Sequence, residues 1–167
     1  TTFWTSEDNV MKGLSAVYNP FRRMTSGYYG GLEGIMHLQM RGDDLYPTRG
    51  EEPYIWEYLS FVNTTNTKDL SWGNIYEGIQ MANEFIYRAA TVDMDETKRE
   101  QMIGEAYFLR GFWYFRLRTD YRDAVIRTLP QDADPETHGL SSGDEVLEQA
   151  ISDFKEAKSR LPKLRSS

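Results

Sequence analysis

Gly104-Glu105-Ala106-Tyr107-Phe108-Leu109-Arg110-Gly111-Phe112-Trp113-Tyr114-Phe115 is the stretch whose reading decides the fold. With Met102, Ile103 and Leu117 around it, apolar side chains fall nearly all round a helix of 3.6 residues per turn instead of along one stripe. A helix of that pattern is stable only when most of its circumference is covered. A segment starting near Asp95 is therefore expected to be the buried centre of a helical domain.

Amphipathic helices are expected on both sides of it. Downstream, Ser142-Gly143-Asp144-Glu145 is a Ser-x-x-Glu capping box, in which serine oxygen and glutamate carboxylate satisfy otherwise unpaired backbone N–H groups. Val146, Leu147, Ala150, Ile151, Phe154, Ala157 and Leu161 then recur at spacings of three and four until Pro162. Ala150, Phe154 and Pro162 fit the A-x3-F…P ending of a tetratricopeptide repeat, and equally any amphipathic helix stopped by proline. Upstream, a helix from Asp69 carries Ile75, Ile79, Ala82, Ile86 and Ala89 on one stripe and Trp72, Tyr76, Asn83 and Tyr87 on a second, which implies contacts on two sides.

Near the start, Thr5, Ser6, Glu7 and Asp8 supply a cap and first-turn acids, Val10, Leu14, Val17 and Tyr18 share a face, and Asn19-Pro20 is expected to stop the helix. A further helix is expected from about Tyr28 to Arg41, with Leu32, Ile35, Met36 and Met40 on one side. Its Gly30, Gly31 and Gly34 mark close backbone approach, and Gly42 offers a C-terminal cap. The class that follows is all-α.

Two long connections remain. The one at about 122–141, with Pro130, Asp132, Asp134, Pro135 and Glu136, reads as an ordinary acidic surface loop. The one at about 42–68 holds Pro47-Thr48-Arg49-Gly50, then Tyr54, Trp56, Tyr58 and Phe61, then Asn63-Thr64-Thr65-Asn66-Thr67. That is too aromatic for a disordered linker. Flat rings beside arginine and asparagine donors suit sugars, whose C–H faces stack while their hydroxyls take directional hydrogen bonds. The alternative is that Trp56, Tyr58 and Phe61 simply pin the loop to the helices.

Composition removes several functions. A formal charge of -7 and a sequence pI near 4.9 oppose phosphate-backbone binding, which needs clustered Lys and Arg, so nucleic acid is not an expected partner. The absence of cysteine removes thiol catalysis, thiolate metal sites and disulfides. No apolar run approaches the roughly 18 residues of a membrane-spanning helix.

Covalent catalysis fares little better. The only histidines are His37 and His138, one within a helix pattern and one in a loop, which gives no Ser-His-Asp arrangement. Asp43-Asp44 with Glu51-Glu52 form an acidic neighbourhood, but without the D-x-D-x-D-G spacing of a calcium loop. Gly27 to Gly34 lacks the phosphate-cradling order G-x-x-x-x-G-K-[ST]. No catalytic residue, metal site or cofactor is assigned.

Taken in order, Phe3-Trp4, Gly42-Asp43-Asp44, Pro47-Thr48-Arg49-Gly50, Trp72-x-x-Ile75-Tyr76-x-x-Ile79-x-x-Ala82-Asn83, the Gly104–Phe115 stretch, and Phe154-Lys155-Glu156-Ala157 to Leu161-Pro162 resemble the N-terminal part of the SusD/RagB family. The resemblance implies that residues 1–167 are a single SusD-like helical domain, the N-terminal part of a longer chain, built from tetratricopeptide-like helical pairs. It implies a non-enzymatic lipoprotein on the outward-facing surface of the outer membrane of Bacteroidetes-type bacteria, with any lipid anchor outside this chain. Such proteins act as lids on a SusC-like TonB-dependent transporter and deliver oligosaccharides, or peptides in RagB-like members.

Carried over residue by residue, the resemblance assigns ligand contacts to Arg49, Phe61, Asn63 and Asn66, with Trp56 and Tyr58 as neighbours. Phe61 and Asn63 stand where a starch-binding relative would show two tryptophans two apart. A protein-interaction scaffold, with the aromatic loop against a partner, is the remaining alternative.

Overall fold

The structure, a computed structural model, describes residues 3–22, 42 and 72–163. The chain divides into two compact units, Thr1–Tyr18 with Ile75–Ser167 and Asn19–Asn74. Almost all the described residues lie in the first.

Four helices are described: α1 (Glu7–Arg22), α2 (Trp72–Ala89), α3 (Glu96–Asp120) and α4 (Gly143–Arg160). Their starts follow from the caps. Ser6 Oγ accepts from Asn9 N in α1, Asp95 Oδ1 accepts from Lys98 N at 2.9 Å in α3, and Ser142 and Glu145 form the reciprocal capping box of α4. Among the described residues there is no strand, only a single antiparallel bridge between Ala124 and Ser141.

α3 is the axis of the unit because the other three helices meet it. A Cβ on Gly78 of α2 would lie 2.2 Å from the indole nitrogen of Trp113, so only glycine lets that ring come this close to the α2 backbone. On the other side, a Cβ on Gly111 would lie 3.1 Å from the Ala150 carbonyl of α4. Gly104 packs beside Arg160 and Leu161, and Gly143 beside Arg118 and Arg122, so α3 and α4 run antiparallel as a tetratricopeptide-like pair. Lys98 reaches Glu7 at 2.7 Å and Tyr18 reaches Glu105 at 2.8 Å, which lays α1 alongside α3 in the same direction.

The core between them is closed by Ile75, Ile79 and Phe85 of α2, Trp113, Tyr114 and Leu117 of α3, Val146 and Ala150 of α4, and Val10 and Val17 of α1. Trp4, edge-on to Phe85 with ring centroids 5.8 Å apart, packs on Gly13.

Four expectations change. Pro20 lies inside α1, not beyond it: in the last turn the missing proline N–H forfeits one i→i−4 bond, and the helix runs on to Arg22. The buried stripe of α1 is Val10, Gly13, Val17 and Pro20, which leaves Leu14 half-buried and Tyr18 exposed. On α2, Phe85 is fully buried and Ile86 only partly, while Tyr87 of the second stripe is exposed. α3 is not covered all round: Phe108 and Phe115 are 49% and 42% exposed, although the Phe108 ring meets Phe154 of α4 with centroids 5.6 Å apart. The helix expected at about 28–41 lies outside the described residues.

Candidate functional site

A fifth change concerns the connection at 122–141, which is built into the fold and is not an ordinary surface loop. Tyr76 Oη donates to the Val125 carbonyl at 2.9 Å and accepts from the Val125 N–H at 2.8 Å. Tyr114 Oη does the same with the carbonyl and N–H of Arg127. Two phenols thus occupy alternate residues of an extended segment as a neighbouring strand would, and the backbone groups of Val125 and Arg127 are satisfied without a sheet. Asn83 Nδ2 adds bonds to the Arg127 and Leu129 carbonyls at 2.9 and 3.3 Å. Burial pushes both phenols above the ordinary tyrosine value, against the opposing pull of these backbone bonds, so they stay protonated and able to donate.

Beneath this segment lies a buried ion pair. Arg110 forks onto Asp153, Nε to Oδ2 at 2.9 Å and Nη2 to Oδ1 at 2.7 Å, with side chains only 5% and 2% exposed. Arg110 Nη1 also donates to Asn83 Oδ1 at 2.8 Å and to the Thr128 carbonyl at 2.9 Å, and Gln149 Nε2 donates to Asp153 Oδ1 at 3.1 Å. Burial opposes the guanidinium charge, but the bonds and charge of Asp153 outweigh it and hold Arg110 above the usual arginine value. One residue from each of α2, α3 and α4 therefore meets the connection at a single polar node.

Two concavities open on either side of that segment, with α2 as their common wall. The smaller, about 230 Å³, lies between Tyr76, Gln80 and Asn83 of α2 and Arg127 and Gln131 of the connection. The larger, about 610 Å³, is bounded by Tyr87 of α2, Tyr107 of α3 and Gln149, Ser152 and Glu156 of α4, with Arg110 and Asp153 as its floor. Leu129, 42% exposed, borders both.

Arg49, Trp56, Tyr58, Phe61, Asn63 and Asn66, the six sequence-assigned ligand contacts, lie outside the described residues, as do His37 and the Asp43-Asp44 and Glu51-Glu52 pairs. His138 is paired with Asp134 at 2.7 Å within the connection. No group of three or more His, Asp or Glu among the described residues could hold a metal ion, and no described helix is long and apolar enough to cross a membrane.

The node itself escaped the reading of the sequence, although it left a signal. Asn83, Arg110 and Asp153 occupy apolar register positions: Asn83 between Ile79 and Ile86, Arg110 between Ala106 and Trp113, Asp153 between Ala150 and Ala157. Polar residues in a core register ask for one another.

A scaffold of antiparallel helix pairs of this kind is a tetratricopeptide-like, all-α architecture. A SusD-like family described as "Starch-binding associating with outer membrane" matches residues 40–167, and the chain belongs to that family. SusD-like protein P38 of Formosa agariphila is 26% identical over 165 residues, which is 95% of this chain and 31% of that protein. SusD-like protein P2 of the same organism is 27% identical over 154 residues, 89% of this chain and 30% of that protein.

A laminarin-binding SusD-like protein of known structure superposes with a TM-score of 0.81 at 26% identity, over 97% of this chain and 36% of its own. A SusD superfamily protein from Bacteroides vulgatus ATCC 8482 gives 0.80 at 25% identity, over 99% and 37%. The chain thus spans about a third of the length of these relatives.

Proposed function

We propose that this SusD-like chain serves non-catalytic capture of oligosaccharides at the outward-facing surface of the outer membrane, for delivery to a SusC-like TonB-dependent transporter. The observation that carries the reading is the family match over residues 40–167, which spans the whole aromatic connection from Arg49 to Asn66. The likeness to a laminarin-binding relative supports a glycan over a peptide. In this reading residues 1–167 act as one SusD-like helical domain: the helices hold the frame, and Arg49, Trp56, Tyr58, Phe61, Asn63 and Asn66 take the ligand by stacking and hydrogen bonding. No bond is broken.

The test is calorimetry on the full-length natural protein with laminarin and starch oligosaccharides, and with short peptides, alongside Arg49→Ala and Trp56→Ala. Either substitution should weaken oligosaccharide binding at least about tenfold, the loss of one charged hydrogen bond or one stacked ring. Helical circular dichroism should stay unchanged. Peptide binding without oligosaccharide binding would reassign the ligand, and binding of neither would leave an interaction scaffold. Co-purification of a large outer-membrane barrel with the native protein tests the transporter.

A further inference from the structure

We propose that the groove along α2 is a second oligosaccharide-binding surface, separate from the Arg49–Asn66 connection and formed wholly by residues 76–156. The inference rests on the glycan-capture reading and extends it to a site of different composition. Its first support is shape. The two concavities share α2 as a wall from Tyr76 to Tyr87 and adjoin at Leu129. Eleven helical steps of about 1.5 Å make that wall roughly 17 Å long. A run of that length suits a linear ligand of several rings, and the larger concavity, about 610 Å³, falls within the usual range for ligand sites.

Its second support is chemistry. The ionic groups in the larger concavity are already matched: Arg110 by Asp153, and Glu156 by Arg160, which also pairs with Glu100. A charged ligand in that concavity would have to break one of these pairs, and the smaller concavity holds a single ionic side chain, Arg127, whose guanidinium donates to the Glu136 carbonyl. The groups that remain are neutral hydrogen-bonding side chains, among them Gln80, Gln131, Gln149 and Ser152, beside tyrosine rings. Tyr87 is 44% exposed, and the Arg88 guanidinium, itself held by Glu84 and Asp132, lies over its ring at 5.2 Å and fixes its position. Tyr107 is likewise held by the guanidinium groups of Arg110 and Arg160, each 5.1 Å from its centroid. The exposed Tyr87 ring among amides and hydroxyls matches a neutral polyol with apolar C–H faces.

An extended peptide fits less well. It would add as a strand to segment 124–129, but on the edge that faces α2 and α3 the N–H and carbonyl of both Val125 and Arg127 are taken by Tyr76 and Tyr114, so that edge offers no ladder.

The experiment is hydroxyl-radical footprinting of the full-length natural protein, read by mass spectrometry at Tyr87 and Leu129, with and without saturating laminarihexaose or maltohexaose. Calorimetry on Ser152→Trp accompanies it. Ser152 is exposed on α4, so the indole fills the groove without disturbing the core. The expected result is at least about a twofold drop in oxidation at Tyr87 and Leu129 on saccharide binding. That protection should vanish in Ser152→Trp, which should bind the hexasaccharide about fivefold more weakly, the scale of one lost stacking contact.

If Arg49→Ala abolishes saccharide binding while Tyr87 and Leu129 are never protected, the groove proposal falls and the capture reading stands. If no saccharide binds while peptides do, both fall. Oxidation of Tyr87 as slow as that of buried Tyr114 before any saccharide is added would mean that polypeptide already fills the groove, which also overturns the proposal.

Discussion

Asp153→Ala should be among the most damaging single substitutions in the described unit. It removes the carboxylate that takes two N–H bonds from Arg110 and one from Gln149, and leaves a guanidinium 5% exposed without its counter-charge. Removing one partner of a buried pair costs about 3–5 kcal/mol, because the survivor remains desolvated and unpaired. The Asn83 Oδ1 and Thr128 carbonyl bonds to Arg110 persist, which places the expectation near the lower end, about 3 kcal/mol. Against a net stability of about 5–15 kcal/mol for a domain, that loss is a large share.

In a chain of this size it corresponds to a fall of about 10 °C in Tm. Urea unfolding followed by circular dichroism should show the midpoint falling with little change in slope. Replacing both partners, Arg110→Met with Asp153→Leu, should recover part of the loss, since no charge is then stranded. Recovery stays incomplete because the Thr128 carbonyl and the Asn83 amide lose their donor. A loss below about 1 kcal/mol in Asp153→Ala would refute the reasoning, for it would mean that water reaches the guanidinium and the pair behaves as a surface one.

Gly78→Ala places a methyl 2.2 Å from the Trp113 indole nitrogen and should destabilise by about 1–3 kcal/mol in the same assay, with a change in tryptophan fluorescence. Glu145 gives a pH-dependent case. The hydroxyl and backbone N–H of Ser142 hold its carboxyl below the ordinary glutamate range, so its stabilisation is present above the unfolded-state value and is lost as pH falls through the folded one. Glu145→Gln should therefore lower Tm at neutral pH, and the gap from wild type should close between about pH 6 and 3. A gap that is constant across that range would show that the carboxylate charge plays no part in the cap.

The elements with local chemistry were legible in the sequence. The Ser142–Glu145 box and the Asp95 cap begin helices where their side chains demand it, because capping is settled within four residues. Apolar period located α1, α2 and α4, and the dense stretch around Gly111 located the central helix. What the period did not give was which of several apolar neighbours faces the core. Phe85 displaces Ile86, and Phe108 faces outward, because a helix carrying apolar residues on several sides leaves its rotation to its partners. The connection at 122–141 was misread for a related reason. Its apolar run, Ala124-Val125-Ile126, is too short to show a period, and the side chains that hold it, Tyr76, Asn83, Arg110 and Tyr114, sit on other elements.

The same node that holds the fold also floors the groove, and this decides which residues can report on binding. Arg110 and Asp153 line the larger concavity, but they tie α3 to α4, Asn83 of α2 and the Thr128 carbonyl, so a binding defect after changing either would be inseparable from loss of the connection. Tyr107 has the same difficulty, being packed against the guanidinium groups of Arg110 and Arg160. Tyr87 and Ser152 are exposed and lie outside the node. A change at those two positions that alters saccharide binding at constant Tm therefore reports on the groove itself, whereas one that alters both reports on the frame.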